Sequence, residues 1–329
     1  MKGLIAALLW LGLAAPAAQS SHAQLFDEVW QTINDAYYDP TFGGLDWAAV
    51  KAELRPKAAA ASSIDETRAV INEMLKRLGR SHFALLASGG SASEFALRGT
   101  AVVPIEFRAI DGDVVITKVT PGSSAARAGL EAGQVITSVD RVTLTAPAAS
   151  ELPVVTWRRA NAVLHGVAGT KAELVVRTPN LDVLYFSAPR EVEVGERVQF
   201  SNLPPMAVRV DERALATPGG RKAGLIGFNI WMAAVDAPVA KAVDRFRSAD
   251  GLIFDLRGNP GGLAGMIMGM AGHVLDTPGV IGTMRTRQVP KLEFVANPRR
   301  STPDGRAVAP FAGPVAILVD ELTASASEC

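Results

Sequence analysis

The sequence has almost no cysteine and no excess of either charge. Its 329 residues contain one cysteine, Cys329, so no intrachain disulfide can form and the core alone must hold the fold. Lys and Arg together number 33, and so do Asp and Glu, which leaves no net charge to attract nucleic acid or an anionic membrane surface. The four histidines stand far apart, with no cysteine or carboxylate at metal-ligand spacing. We therefore expect no nucleic-acid partner, no metal and no other cofactor.

A membrane-spanning apolar run is also missing from the start of the chain. The stretch Leu4–Ala15 follows Lys2 and is shorter than the ~20 apolar residues that cross a bilayer. Ser21-His22-Ala23 fits a small-x-small cleavage site. The pattern predicts a secretory signal peptide over residues 1–23, a mature start at Gln24, and a periplasmic or secreted protein without a stable membrane anchor after cleavage. A retained anchor is the alternative.

The first unit after the signal, residues 24–90, is typical of helices. Apolar residues recur at helical spacing from Leu25 onward, and Asp46 and Ser63 stand where each can cap a helix. We expect the helix that follows Asp46 to end before Pro56. Beyond the last helix stands His82, which is either a general base or a structural histidine bonded to a carbonyl group.

Residues 95–185 alternate short strands with turns and resemble a PDZ domain. The resemblance rests on VTPGSSAARAGLEAGQVITSVD and on GTKAELVVRT, with a helical stretch at Val155–Leu164. PDZ domains bind peptide C-termini at a sheet edge, where backbone N–H groups hold the carboxylate. The resemblance implies peptide contacts at Thr100, Ala101 and Val102.

The last part, residues 186–329, begins irregularly up to residue 219 and then alternates strands with helices. Alternation with short connections predicts βαβ units and a largely parallel sheet. The expected strands are Ala223–Trp231, Gly251–Leu256 and Val315–Val319, with helices at Pro238–Phe246 and Leu263–Leu275.

The connection Asp255–Gly262, with the sequence DLRGNPGG, joins a strand to a helix through a glycine pair. Glycines let backbone N–H groups approach a ligand atom closely, so this turn is able to supply an oxyanion donor. The spacing lacks both nucleotide-binding glycine patterns, which makes a phosphate site a weak alternative. An ordinary strand-to-helix turn is the other alternative.

The closing stretch Gly313–Cys329 reads GPVAILVDELTASASEC. Its unbroken apolar run predicts a short strand buried on both faces. Small residues and hydroxyls then begin a helix, where free N–H groups favour a developing negative charge. This suits a serine nucleophile, and it equally suits a plain helix N-cap with Glu328 completing a capping box.

Three motifs stand in chain order: Ser81-His82, DLRGNPGG and TASASE. With the PDZ-like unit between them, they resemble the C-terminal-processing (tail-specific) family of serine peptidases, including its tricorn-like branch. The resemblance covers nearly the whole chain after the signal peptide. It implies an α+β / α/β multidomain protein with an N-terminal helical segment, a PDZ-like β domain and a crotonase/ClpP-like αβ core.

The resemblance implies roles for individual residues of the two loops. The serine in the middle of TASASE, Ser325, corresponds to the nucleophile. The oxyanion donors correspond to the backbone N–H of Ala326 and of one glycine in the pair, Gly261 or Gly262.

The catalytic base divides the family into two branches. The tricorn-like branch uses a histidine preceded by a small residue, which matches Ser81-His82, together with a glutamate beyond the nucleophile. The other branch uses a lysine further along the chain than Cys329. We take His82 as the base, because histidine accepts a proton near neutral pH without help.

The chain ends four residues after Ser325. We expect a truncated piece that lacks strands and a catalytic partner, and that is inactive by itself. The expected function of the parent protein is a secreted serine endopeptidase acting on peptides or unfolded proteins. A non-catalytic periplasmic binding protein is the alternative. An acyl-CoA enzyme of the crotonase type is disfavoured, because a signal peptide would remove it from cytoplasmic CoA.

Overall fold

The computed structural model describes residues 21–80, 83, 85, 101–144, 153–200, 205–289 and 291–329. The chain forms two compact units, one from Met1–Leu86 with Met284–Leu292 and one from Ala87–Thr283 with Glu293–Cys329. None of the described helices is both long and apolar enough to cross a bilayer. The predicted mixed α/β class with N-terminal helices is confirmed. The domain boundaries at residues 24–90, 95–185 and 186–329 stay a prediction.

The first unit is built from three helices. Asp46 accepts a hydrogen bond from the Ala49 N–H and Ser63 accepts one from the Glu66 N–H, as the sequence predicts for helix caps. The core is apolar, with Phe26, Leu54, Ile71 and Met74 fully buried. The helices are α1 (Ser21–Ala36), α2 (Trp47–Ala59) and α3 (Ile64–Lys76), with a 3₁₀ turn at Phe42–Gly44.

The prediction that the second helix ends before Pro56 is wrong. Helix α2 continues to Ala59 and has Pro56 in its last turn. A proline removes one N–H from the helix ladder, but its carbonyl still accepts a hydrogen bond from the Ala60 N–H at 3.1 Å. The helix loses a single hydrogen bond near its end and remains continuous.

The first half of the second unit is the PDZ-like domain. Its main sheet has the order β2-β3-β4-β7-β8, with β5 beside β4, and helix α5 packs on the edge strand β2. A smaller sheet has the order β6-β1-β9. The elements are β1 (Ala101–Val102), β2 (Ile105–Ile110), β3 (Asp113–Val119), α4 (Ser124–Ala128), β4 (Val135–Val139), β5 (Val142–Thr143), α5 (Pro153–Leu164), β6 (His165–Gly166), β7 (Lys171–Arg177), β8 (Val183–Pro189) and β9 (Glu191–Val192).

The second half contains the strand–helix alternation. Three 3₁₀ or α-helical segments connect the strands of the described core before the last strand, and a 3₁₀ turn at Ser325–Ser327 follows it. The elements are β10 (Glu196–Val198), β11 (Met206–Val208), β12 (Val210–Ala216), β13 (Lys222–Phe228), a 3₁₀ turn (Ala233–Val235), α6 (Asp236–Arg245), β14 (Gly251–Asp255), α7 (Met266–Ala271), β15 (Gly279–Met284), β16 (Leu292–Ala296) and β17 (Val315–Leu318).

The sheet that positions the candidate site has the order β12-β13-β14-β17. Strands β13, β14 and β17 are parallel, as predicted, and Asp255 at the end of β14 pairs with Leu318 at the end of β17. Because these strands end at the same edge, the chain that follows each strand emerges side by side. This edge brings together the DLRGNPGG and TASASE motifs.

Two predictions about this sheet are wrong. The stretch expected to be irregular contains β12, which pairs antiparallel with β13 from Val210↔Phe228 to Ala216↔Lys222. Most of β12 is exposed and three of its seven residues are charged, so it lacks the apolar alternation that marks a half-buried strand. The expected helix Leu263–Leu275 spans only Met266–Ala271, and the Leu263 N–H before it donates to the Trp231 carbonyl at 2.8 Å.

Strand β17 is not buried on both faces, contrary to the sequence prediction. Val315 is 40% exposed and Ile317 is 60% exposed. Within the described residues β17 is the edge of its sheet, with β14 as its paired neighbour. The apolar run therefore predicted the strand correctly and its burial incorrectly.

Candidate active site

Two segments form the candidate site at the end of β14 and β17. We call residues 255–262 the glycine loop and residues 320–328 the serine turn. The Leu256 N–H donates to the Leu318 carbonyl at 2.9 Å, and the Thr323 hydroxyl donates back to the Leu256 carbonyl at 2.9 Å. The Ala324 N–H donates to the Asn259 carbonyl at 3.1 Å. These bonds fix the serine turn against the glycine loop.

Ser325 has a backbone conformation that non-glycine residues rarely adopt. Its φ is 55°, in the left-handed region. Its N–H donates to the Glu328 carboxylate at 2.7 Å, and its half-buried hydroxyl has no hydrogen-bond partner among the described residues. Such strain persists where surrounding structure enforces it, often at functional sites.

The helix-cap alternative for Ser325 fits the geometry less well. Ala324 occupies the N-cap position of the 3₁₀ turn, and no side chain caps that turn. Glu328 contributes the carboxylate half of a capping box, but the Ser325 hydroxyl does not contribute the other half. The hydroxyl is thus left available for another partner.

Gly261 packs directly against Ser325. A Cβ atom at this position would stand 2.6 Å from the Ser325 Cβ and 2.9 Å from the Ala326 nitrogen. Its own N–H is already used, since it donates to the Asn259 side-chain oxygen at 2.9 Å. Gly261 therefore provides room for the serine turn and does not offer its N–H to a ligand.

Gly262 differs from Gly261 in whether its N–H is already bonded. Its N–H has no hydrogen-bond partner among the described residues, and neither has the N–H of Ala326. The peptide bond between Gly261 and Gly262 is trans, and the Gly261 carbonyl accepts the Trp231 N–H at 2.8 Å. The Gly262 N–H must therefore point away from Trp231. Of the two glycines that the sequence left open, Gly262 has the available donor.

Asn259 is a residue of the site that the sequence analysis did not single out. It is 0% exposed, and its amide N–H donates to the Phe228 carbonyl at 2.8 Å. Its side-chain oxygen accepts the Gly261 N–H and its backbone carbonyl accepts the Ala324 N–H. Asn259 thus links β13 and the glycine loop through its side chain, and the serine turn through its backbone carbonyl. Its place inside DLRGNPGG was the signal, since a buried Asn needs several partners.

The carboxylate of Asp320 bonds to both the glycine loop and the serine turn. Its Oδ1 accepts the Gly258 N–H at 2.8 Å and the Thr323 N–H at 3.1 Å, while its Oδ2 accepts Nε of Arg108 at 2.6 Å. Burial alone would raise the pKa of Asp320, but the Gly258 N–H and the Arg108 charge hold that pKa below its usual range. Asp320 therefore stays ionised and keeps these bonds at neutral pH.

The remaining predicted site residues are Ser81, His82, Thr100, Ala101 and Val102. Ser81, His82 and Thr100 lie outside the described residues. Ala101 pairs with Gly166 on one edge and Val192 on the other, and Val102 likewise has both edges paired. Both edges of β1 are thus paired within the protein, and the peptide contacts expected at Ala101 and Val102 stay a prediction. In the described part of the chain no cluster of three His, Cys, Asp or Glu residues has the arrangement of a metal site.

Three family models match the chain in the order of its structural parts. Residues 18–76 match the Tricorn protease C1 domain, residues 115–152 match a PDZ domain, and residues 222–329 match Peptidase family S41. The last match contains the glycine loop and the serine turn. The first includes the helices of the first unit.

Curated relatives match along most of the chain. A carboxyl-terminal-processing protease of Synechocystis sp. is 27% identical over 336 aligned residues, covering 99% of this chain and 70% of that protein. A putative tricorn protease homolog 2 of Streptomyces coelicolor is 26% identical and covers 94% of this chain but 25% of that protein. Among solved structures, a photosystem II D1 C-terminal processing protease has a TM-score of 0.52 at 22% identity, covering 94% of this chain and 77% of that one.

The structural likeness concerns the fold: N-terminal helices, a PDZ-like domain and a peptidase core, as the sequence resemblance implied. The match to Peptidase family S41 and the carboxyl-terminal-processing relatives additionally support a peptidase activity. The three family models and the carboxyl-terminal-processing relatives together support a serine-type peptidase, a hydrolase, that is similar to the C-terminal-processing peptidases of family S41.

Proposed function

We propose that the protein is a secreted serine endopeptidase that cleaves peptides or unfolded proteins near their C-termini through an acyl-enzyme on Ser325. One observation carries the proposal. Ser325 is held at a φ of 55°, and its hydroxyl has no hydrogen-bond partner among the described residues. The N–H groups of Ala326 and Gly262, which are likewise unbonded in the described part of the chain, belong to the two segments that meet at Ser325. This is the donor arrangement that an acyl-transfer oxyanion requires.

In the proposed reaction, the Ser325 Oγ attacks the carbonyl carbon of the scissile peptide bond while its proton passes to His82. The carbonyl oxygen becomes an oxyanion that accepts hydrogen bonds from Ala326 and Gly262. The C–N bond then breaks, His82 returns its proton to the leaving amine, and the acyl group remains on Ser325. Water then attacks the ester carbon while His82 takes its proton. His82 passes that proton to the Ser325 Oγ as the ester bond breaks, which releases the carboxylic acid and restores the serine hydroxyl.

The PDZ-like domain supports a preference for peptide C-termini. Strand β2 pairs with β3 along one edge, and no described strand pairs with its other edge. Helix α5 flanks it, with the Phe107 and Trp157 rings stacked at 5.7 Å between centroids. A peptide added to this open edge would have its C-terminal carboxylate near the chain that precedes β2. Amidation of a bound peptide's C-terminus should then lower its affinity, as fluorescence anisotropy would measure.

Secretion is proposed from the sequence of residues 1–23. The supporting features are Lys2, the short apolar run and the small-x-small site at Ser21-His22-Ala23. Mass spectrometry of the protein from its native cells should find an N-terminus at Gln24. A start at Met1 would contradict the proposal.

The nucleophile is tested in the full-length protein with a serine-reactive phosphonate probe. Peptide mapping should find the adduct on Ser325, and Ser325→Ala should lose both the adduct and the hydrolysis of an unstructured peptide. Ser187→Ala is the matched control, since Ser187 is exposed and bonds to Glu173 within the PDZ-like sheet. Peptide binding without any adduct or hydrolysis would overturn the proposal and favour a non-catalytic binding protein.

A further inference from the structure

Trp231 connects, through its backbone, to the glycine loop on both sides of Gly262. Its N–H donates to the Gly261 carbonyl at 2.8 Å, and its carbonyl accepts the Leu263 N–H at 2.8 Å. The two bonds form an isolated parallel bridge between Trp231 and Gly262. The two peptide units that flank the Gly262 Cα, the first of which carries the Gly262 N–H, are therefore each bonded to Trp231.

The bridge also explains why residue 262 is glycine. A Cβ there would stand 2.3 Å from the Trp231 carbonyl oxygen, and the φ of 138° disfavours any side chain. The close approach of the two backbones fixes the orientation of the free N–H. A small shift of Trp231 would be transmitted directly to this donor.

The side chain of Trp231 reaches the other segment. Its indole N–H donates to the Ser327 hydroxyl at 2.8 Å, and both residues are buried. Ser327 follows Ala326, whose free N–H is the second donor in the proposed mechanism. The indole ring is held in place by Phe228, which meets it edge to face at 4.9 Å between centroids.

We propose that Trp231 is a positioning residue for the oxyanion hole: its backbone sets the Gly262 N–H and its indole N–H sets the Ala326 N–H through Ser327. The inference rests on the proposed function, because it assigns these two N–H groups to an oxyanion. Trp231 touches no reacting atom in this account. It fixes the spacing between two donors that come from different segments.

The spacing matters because hydrogen bonds to the oxyanion form fully in the transition state. Displacing one donor costs transition-state stabilisation while leaving ground-state binding of the peptide almost unchanged. Loss of the indole N–H should therefore lower kcat by about 10- to 100-fold and leave KM within about 2-fold.

The test compares Trp231→Phe, Ser327→Ala and the double variant. Phenylalanine keeps an aromatic ring in the core and removes the N–H, and alanine removes the hydroxyl that accepts it. Each single change should lower kcat, and the double variant should lose no more than the larger single loss, because both remove the same bond. Trp30→Phe is the matched control, since it likewise removes an indole N–H, which donates to the Trp47 carbonyl at 3.0 Å among the helices of the first unit.

A peptide boronic acid supplies a readout that general destabilisation would not move. Its tetrahedral adduct with serine places an oxygen in the oxyanion hole, so its affinity should fall with kcat in Trp231→Phe and Ser327→Ala. Thermal unfolding should confirm that both variants are folded at the assay temperature. If Trp231→Phe fails to fold, Ser327→Ala decides by the same readout.

The possible results separate this inference from the proposed function. Ser325-dependent turnover that is unchanged in Ser327→Ala and Trp231→Phe would overturn the role of Trp231 alone. A fall in kcat without any loss of boronate affinity would also overturn it. Turnover or boronate binding that persists in Ser325→Ala would overturn the proposed function, and with it the role of Trp231.

Discussion

Arg108 donates from Nε to Oδ2 of Asp320 at 2.6 Å, although the two residues are 212 positions apart. Arg108 lies on β2 of the PDZ-like domain, and Asp320 begins the serine turn. The other oxygen of Asp320 accepts the Gly258 N–H of the glycine loop. A single carboxylate thus joins the PDZ-like sheet to both segments of the candidate site.

The first prediction concerns the strength of this junction. The Asp320 side chain is 12% exposed, so Asp320→Ala leaves the Arg108 charge and several N–H groups without their partner. We expect a loss of about 3–5 kcal/mol in the free energy of unfolding, as for other broken buried ion pairs. Urea unfolding measures it. The control is Asp211→Ala, whose ion pair with Arg209 is exposed and should contribute less than about 1 kcal/mol. Equal losses in the two variants would contradict the prediction.

The second prediction concerns the space between the glycine loop and the serine turn. A Cβ at Gly261 would stand 2.7 Å from the Ala324 carbonyl oxygen, and the φ of 97° adds strain. Gly261→Ala should therefore push the serine turn away and reduce kcat by at least about 100-fold, since a displacement near 1 Å has such an effect. Gly265→Ala is the control, because a Cβ there meets nothing within 4 Å. Unchanged kcat in Gly261→Ala would show that the turn does not need this contact.

The third prediction separates positioning by Asn259 from its contribution to stability. Asn259→Ala leaves the Phe228 carbonyl and the Gly261 N–H without partners, at a cost of about 1–3 kcal/mol each. Asn229 makes a similar pair of bonds, to the Ala207 carbonyl and from the Arg209 N–H, away from both segments of the site. Both alanine variants should unfold at lower urea concentration, and Asn259→Ala alone should lower kcat of the folded protein. Equal kcat in the two variants would contradict the role of Asn259.

These residues illustrate how far the sequence leads. The strands β14 and β17 follow from apolar runs, and their parallel pairing follows from strand–helix alternation, so the meeting of the two motifs was predictable. Ser325 and the glycine pair were candidates because they follow these strands, and the family resemblance implied their roles. The choice of Gly262 over Gly261 was not predictable, because it depends on which N–H the Asn259 side chain takes.

Contacts between distant segments account for the other residues that were missed. Trp231 and Ser327 form a bond across 96 positions, and no spacing along the chain indicates it. Arg108 and Asp320 are a similar case. Strand β12 was missed because its exposed polar residues lack strand alternation, and its pairing with β13 decides its structure.

The fourth prediction concerns stability in acid. Burial lowers the pKa of His273 to about 4, and the nearby Arg299 charge adds to this effect while Asp236 opposes it. In the unfolded chain the His273 imidazole binds a proton near pH 6.5, whereas in the folded protein it stays neutral down to about pH 4. The free energy of unfolding should therefore fall as the pH decreases from about 6.5 to about 4. The loss approaches about 3 kcal/mol and levels off below pH ~4. The free energy of unfolding of His273→Gln, measured with urea, should not show this dependence on pH, because glutamine keeps an acceptor for Arg299 but does not titrate in this range. An identical slope in the variant would contradict the prediction.

The fifth prediction concerns the base. With His82 as the base, kcat/KM should rise with pH as the imidazole loses its proton, because neutral imidazole is the form that accepts the serine proton. His82→Gln should remove this limb and lower kcat by orders of magnitude, while phosphonate labelling of Ser325 slows in parallel. A lysine base would give a limb governed by lysine deprotonation, and His82→Gln would then leave the profile unchanged. That outcome would favour the lysine base of the other branch and leave Ser325 as the nucleophile, because the site of the adduct and its loss in Ser325→Ala do not depend on which residue is the base.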